Sequence, residues 1–184
     1  MEKTKIIVEL SKTLNKEEIN KLSSSSSNIL FEVRDLIATS FNKNEQIAFR
    51  AAWVLENIYI KHLERFIPQS THFLTVFSTQ DNLSCRRHYG KILALMTSKK
   101  APLVIKELIR NYETENIVET VFSWLIDEKN PVAIKSHCLN ILANLNSKHN
   151  WIKDELLQTM DFLVDKESIG FYSKVKQIRK QLIG

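Results

Sequence analysis

The chain has 184 residues, of which 43% are hydrophobic and 26% are charged, and its formal net charge is +5. These values are ordinary for a folded chain with one sizeable core. Glycine and proline number 3 each, which is too few for the turns of a sheet protein and for a glycine-rich phosphate loop, so composition favours an all-α fold.

The N-terminal stretch MEKTKIIVELSK carries too many charges and too short an apolar run for a signal peptide. No stretch approaches the ~20 apolar residues that a membrane-spanning helix needs. We therefore expect a cytoplasmic protein without a membrane partner.

Apolar spacing predicts short helices at residues 3–14 and 16–22, the second with Asn15 as its cap, and a further helix at Asn28–Thr39. The serine run Ser23–Ser27 is expected to be a loop or helix join. The strongest helix follows at residues 44–62, where Asn44 is a good N-cap residue. Phe49 and Trp53 lie four residues apart, off its main apolar stripe. This helix is therefore expected either to be covered on a second side or to offer a contact patch.

The second half continues as helices separated by turn residues. Pro68 predicts a loose turn before a helix at Gln69–Phe77, and Asp81 or Asn82 is expected to cap the next helix. The remaining predicted helices are Pro102–Tyr112, Glu115–Glu128, Val132–Asn146 with Asn130 as N-cap, Asn150–Val164, and a last helix capped by Ser168.

Apolar positions recur in these helices at spacings of about 37, 49 and 37 residues, where ~40–47 is typical of HEAT-type helix pairs. The equivalent sets are Ala52/Tyr89/Cys138/Val175, Leu55/Ile92/Ile141/Ile178 and Tyr59/Met96/Leu145/Leu182. The pattern predicts a right-handed α-α superhelix, a HEAT-like solenoid of about four helix pairs after short N-terminal helices. We expect one domain, 1–184, with an N-terminal cap (1–27), pairs at 28–62, 63–97, 115–147 and 150–183, and an inserted helix at 102–112.

The segments AFRAAWVLENI, NPVAIKSHCLNILANL and GFYSKVKQIRKQL resemble a family of small bacterial HEAT-like (armadillo-type) repeat proteins. The resemblance covers residues 44–182 and implies a helical repeat fold without an assigned activity. Some such chains carry adenylosuccinate lyase names. The Ser-Ser-x-Met-Pro-x-Lys-x-Asn loop of those lyases has no counterpart here, so we do not expect a lyase.

The sequence contains no recognisable catalytic or metal-binding pattern, such as Cys-x-x-Cys or His-Glu-x-x-His, and we predict no cofactor, no metal and no catalysis. Cys85 and Cys138 lie in apolar helical patterns and are expected to be reduced core residues. His88 and His137 occupy equivalent repeat positions. Two partly buried, hydrogen-bonded histidines are the favoured interpretation, and a metal or proton-transfer pair is the alternative.

Basic and aromatic residues fall beside the core positions of the second helices and are expected to line a concave groove. The candidate binding residues are Phe49, Arg50, Trp53, Arg86, Arg87, Lys91, Lys135, Tyr172 and Lys176. Such a surface suits an acidic protein or peptide, because arginine pairs with carboxylates and aromatic rings supply contact area. The alternative is a nucleic-acid-binding solenoid that resembles the HEAT-like DNA-alkylation-repair proteins.

Overall fold

A computed structural model describes residues 2–24 and 31–183 of the chain. These residues form twelve α-helices and a 3₁₀ turn, with no strand among them, and the all-α prediction is confirmed. In chain order the helices are α1 (Glu2–Ser11), α2 (Lys16–Ser23), α3 (Val33–Thr39), α4 (Glu45–Lys61), α5 (Leu63–Phe66), α6 (Ser70–Phe77), α7 (Leu83–Met96), α8 (Leu103–Asn111), α9 (Glu115–Ile126), α10 (Val132–Leu145), α11 (Ile152–Val164) and α12 (Ile169–Ile183).

Asparagine side chains start three of these helices, as the sequence predicts. Asn44 accepts hydrogen bonds from the first-turn N–H groups of α4, and Asn82 does the same for α7. Asn15 forms a capping box with Glu18, in which each side chain accepts from the backbone N–H of the other residue. These bonds satisfy N–H groups that have no partner inside the helix.

The predicted helix Asn28–Thr39 is wrong at its start, because α3 begins at Val33. Glu32 before it is extended, with ψ 136°, and the backbone carbonyl of Phe31 accepts a hydrogen bond of 2.7 Å from Arg65. Arg65 therefore binds a carbonyl that would have accepted a hydrogen bond inside the helix if α3 had begun earlier. Residues 25–30, and with them most of the serine run, lie outside the described residues.

Asn130 was also predicted incorrectly, because Pro131 occupies the N-cap position of α10. The Asn130 amide instead donates a 2.8 Å hydrogen bond to the backbone carbonyl of Trp124, near the end of α9. This bond closes the α9–α10 loop, and α9 itself ends at Ile126 rather than Glu128. The looser turn predicted at Pro68 is confirmed as the 3₁₀ turn Ile67–Gln69 between α5 and α6.

The chain divides into two compact units, unit 1 (Met1–Ile92) and unit 2 (Leu93–Gly184). In unit 1, α4 is the central helix and contacts α1, α2, α3 and α5. In unit 2, α10 is central and contacts α9, α11 and α12. Each unit is therefore built around one long amphipathic helix.

The predicted repeat positions are all core positions. Leu55, Ile92, Ile141 and Ile178 have no exposed surface, and the other eight members of the three sets are at most 8% exposed. The sequence therefore predicted which face of each of these helices is buried.

Aromatic rings fill much of the core of unit 1. The ring of Phe73 lies 5.4 Å from that of Phe66 and 4.8 Å from that of Tyr89, measured between centroids. The Tyr89 hydroxyl lies 2.7 Å from the Ser40 hydroxyl, which satisfies a polar group that would otherwise be buried without a partner. This cluster fixes α6 and α7 against each other.

Candidate functional site in unit 1

Three side chains of α4, namely Phe49, Trp53 and Glu56, follow one another at helical spacing and meet His88 of α7. The imidazole ring lies 5.2 Å from the Phe49 ring and 6.5 Å from the Trp53 indole, which is stacked on it. Phe49 and Trp53 also touch each other and are half-buried. They therefore form a partly open aromatic patch whose inner wall is a histidine.

Glu56 holds that histidine in place. The His88 Nδ1–H donates a 2.6 Å hydrogen bond to one carboxylate oxygen, and the Lys91 ammonium donates a bond of the same length to the other. Burial raises the pKa of Glu56, but the hydrogen bonds from His88 and Lys91 outweigh it, so the pKa of this carboxyl lies below its ordinary value of 4.5. Nε2 of His88 is buried without a hydrogen-bond partner among the described residues.

This lowered pKa predicts an acid-sensitive contribution to stability. The ionised Glu56 stabilises the folded state above its unfolded pKa, and the contribution disappears as pH falls through the lower folded pKa. We expect Glu56→Gln to be less stable than the native chain at about pH 6 and to approach it at about pH 3. Urea unfolding of both chains at several pH values tests this, and a stability difference that does not change with pH would contradict it.

The arginines predicted for the groove differ in their surroundings. Arg87 is exposed, and within the described part of the chain it has no ion pair or hydrogen bond. The Arg86 Nε–H donates to the carbonyl of Gln80 at 3.0 Å. The Arg50 guanidinium donates to the carbonyl of Leu10 at 2.8 Å, near the end of α1. Arg87 is therefore the arginine whose guanidinium is available to a partner. The Arg50 guanidinium already caps the C-terminal end of α1.

Candidate residues in unit 2

Lys135 is buried rather than groove-lining. It is 1% exposed, and its ammonium is paired with the carboxylate of Glu167. A buried ammonium needs such a partner because removing a charge from water is costly. The prediction that Lys135 lines an open groove is therefore wrong.

Tyr172 and Lys176 are exposed on α12, one helical turn apart. The Lys176 ammonium lies 4.6 Å from the centroid of the Tyr172 ring, and the tyrosine is 45% exposed. This is a cation–π pair at the surface, of a kind that contributes about 0.5–1 kcal/mol. Both groups are accessible to a partner from this helix.

Sequence reasoning missed a polar clamp in unit 2, formed by Lys148 and His149 between α10 and α11. Lys148 donates to the carbonyls of Ile109 at 2.9 Å, Arg110 at 3.1 Å and Tyr112, at the C-terminal end of α8. The three carbonyls are acceptors that a helix leaves unsatisfied at its C-terminus, so the ammonium acts as a C-cap. No local sequence signal marks this contact, because the partners lie 36–39 residues apart.

His149 completes the clamp by binding the start of α9. Its Nε2 lies 2.7 Å from the Thr114 hydroxyl and its Nδ1 lies 3.1 Å from the Glu115 carboxylate. A hydroxyl, an imidazole and a carboxylate in this order resemble a nucleophile relay. Thr114 is only 1% exposed, so a substrate carbonyl has no approach to its hydroxyl in this conformation, and the chain of contacts ties two loops together.

The cysteines and the possible metal ligands are the other side chains that could take part in a reaction. Cys85 and Cys138 are buried and not joined in a disulfide, as predicted, and burial raises the pKa of the Cys85 thiol to about 12, which disfavours the reactive thiolate. Among the described residues, no group of three or more histidine, cysteine or acidic side chains is arranged to hold a metal ion. In the same residues, no helix has the length and apolar character needed to cross a membrane.

The chain matches a family model described as HEAT repeat domain over residues 6–182. Neither the curated proteins nor the solved structures yielded a match to this chain. The matched span covers both units and includes every candidate residue described above.

Proposed function

We propose that this chain, which belongs to the HEAT repeat domain family, is a non-catalytic binding module that takes an acidic protein segment on unit 1. Membership of the family confirms the prediction of a HEAT-like helical repeat protein. Proteins of this architecture present extended surfaces of stacked helices to their partners. The fold alone does not identify a partner, so the proposal rests on the side chains exposed on unit 1.

The observation that carries the proposal is Arg87, an exposed cation without an ion pair or hydrogen bond in the described part of the chain, which directly precedes His88, the inner wall of the Phe49–Trp53 patch, in α7. Arg87 and Lys91 are four residues apart on α7 and therefore neighbours on the helix surface. Lys91 lies at the edge of the patch, because Glu56 binds both it and His88. We call Phe49, Trp53, Arg87 and Lys91 the α4–α7 face.

The chemistry of this face fits a carboxylate flanked by apolar groups. The Arg87 guanidinium can bind a carboxylate through two parallel hydrogen bonds, and the two aromatic rings supply contact area with little loss of side-chain freedom. Glu56 keeps Lys91 and His88 oriented before a partner arrives, which lowers the ordering cost of binding. Arg86, whose Nε is bound to Gln80, adds charge at the edge.

The test is fluorescence anisotropy with a labelled glutamate-rich peptide at low and near-physiological salt. Arg87→Glu should weaken binding by about tenfold or more, since a charge-assisted hydrogen bond contributes about 1.5–3 kcal/mol. The charge-matched control is Lys100→Glu, at an exposed position of unit 2 whose side chain has no hydrogen bond or ion pair among the described residues. Equal loss in both variants, or no binding at low salt, would contradict the proposal.

Nucleic acid is the second candidate, because the same face combines cations with aromatic rings on which bases stack. The same assay with labelled single-stranded and duplex DNA separates the two. Tight DNA binding that falls steeply with salt, and that depends on Arg87, would favour nucleic acid over an acidic peptide.

A further inference from the structure

Unit 2 contains a pocket of about 290 Å³ between the end of α7, α8 and the end of α10. Three of its lining side chains are cationic, namely Lys106, Arg110 and Lys148, and none is a carboxylate. Cations gathered around a concave site raise the local concentration of anions. This pocket shares no lining residue with the α4–α7 face.

Two of the cations are available to a ligand. Lys106 and Arg110 are exposed and lie four residues apart on α8, so their side chains project from the same side of the helix. Neither side chain has an ion pair or hydrogen bond with any residue in 2–24 or 31–183. Their charges are therefore not neutralised within the described structure.

The third cation is fixed in position. The Lys148 ammonium is held by the three carbonyls at the end of α8. Burial lowers the pKa of Lys148, and the nearby Glu113 carboxylate opposes that effect. The negative end of the α8 dipole, which would otherwise repel an anion, is thus compensated by this ammonium.

The rest of the pocket is mixed in character. Met96, Ile109 and Leu145 are almost fully buried and give it an apolar floor, and Ser147 adds a hydroxyl at the rim. The volume of the pocket is just below the range for small-molecule sites, which is about 300–1,000 Å³. An apolar floor below a ring of cations fits a small ligand with one anionic end.

We propose that this pocket binds a phosphate monoester of a small organic molecule. The phosphoryl group lies between Lys106, Arg110 and Lys148, where the planar guanidinium of Arg110 can donate two hydrogen bonds to its oxygens. The organic part rests on Met96, Ile109 and Leu145. A phosphate monoester is favoured over a carboxylate because it carries nearly two negative charges at neutral pH, which matches three cations better.

Phenyl phosphate is the probe, with phenol and inorganic phosphate as partial ligands, and isothermal titration calorimetry measures the dissociation constants. Lys106→Gln combined with Arg110→Gln should weaken phenyl phosphate binding by about tenfold or more, because two charge-assisted contacts are lost. The matched control is Lys129→Gln combined with Lys153→Gln, two exposed lysines of unit 2 outside the pocket, which should change binding by less than about twofold.

Three results would overturn the proposal. These are no phenyl phosphate binding up to about 10 mM, equal weakening in both double variants, or phenol binding as tightly as phenyl phosphate. Tighter binding of inorganic phosphate than of phenyl phosphate would mean that Met96, Ile109 and Leu145 do not contribute to binding. None of these results depends on the α4–α7 face, because Arg87 and Lys91 are unchanged in every variant.

Discussion

Replacing Glu167 by alanine is expected to destabilise the protein by about 3–5 kcal/mol, because it leaves a buried charge without a partner. The Lys135 side chain is 1% exposed and its ammonium is paired with this carboxylate, so removing the carboxylate leaves the charge without its partner. Urea unfolding followed by circular dichroism measures the loss. Glu128→Ala, which removes an exposed carboxylate, should stay within about 0.5 kcal/mol of the native chain.

A double variant separates the cost of an unpaired charge from the contribution of the pair. Lys135→Met combined with Glu167→Leu removes both charges and keeps apolar volume, so it should recover most of the stability that Glu167→Ala loses. If Glu167→Ala costs less than about 1 kcal/mol, the Lys135 ammonium finds water or another partner, and the buried pair is not what holds α10 to the loop before α12.

The second large effect is expected at Phe73, where substitution by alanine should cost about 3–5 kcal/mol. Its ring contacts those of Phe66, Phe77 and Tyr89, and it has no exposed surface. The loss combines the transfer of the ring to water with a cavity that its rigid neighbours cannot fill. Urea unfolding provides the measurement.

Phe73→Leu is the matched variant for this position, since it keeps an apolar side chain and leaves a smaller cavity. Its cost should lie clearly below that of alanine. A loss below about 1 kcal/mol for Phe73→Ala would mean that α6 does not pack against α7 through this ring, and the aromatic core of unit 1 would need revision.

The features that sequence reasoning predicted correctly depend on local spacing. Ala52, Leu55 and their equivalents repeat with the period of a helix, and a helix with one apolar stripe has only one way to bury it. The caps at Asn15 and Asn44 are local as well, because each bonds to N–H groups within three residues. Periodicity and capping chemistry are therefore sufficient for the fold class and for the buried faces.

The features that sequence reasoning missed depend on contacts between residues that are distant in sequence. Lys135 lies three residues before Cys138, and a lysine there is normally solvated, but Glu167 is 32 residues away and meets it in the folded chain. Arg50 is likewise occupied by a carbonyl 40 residues away. Arg87 is exposed, and among the described residues no such distant group reaches it, whereas its place in a binding groove stays a prediction. A single sequence contains no information on which distant carbonyls and carboxylates become neighbours.

The clamp formed by Lys148 also bears on how repeat arrays gain and lose segments. Removal of α8 would take away the three carbonyls that hold this ammonium, and insertion of α8 without the lysine would leave those carbonyls unsatisfied. We therefore expect the α8 segment and Lys148 to be kept or lost together. Relatives that lack the α8 segment are expected to carry other residues at the position of Lys148, whereas those that keep the segment should keep a cation there.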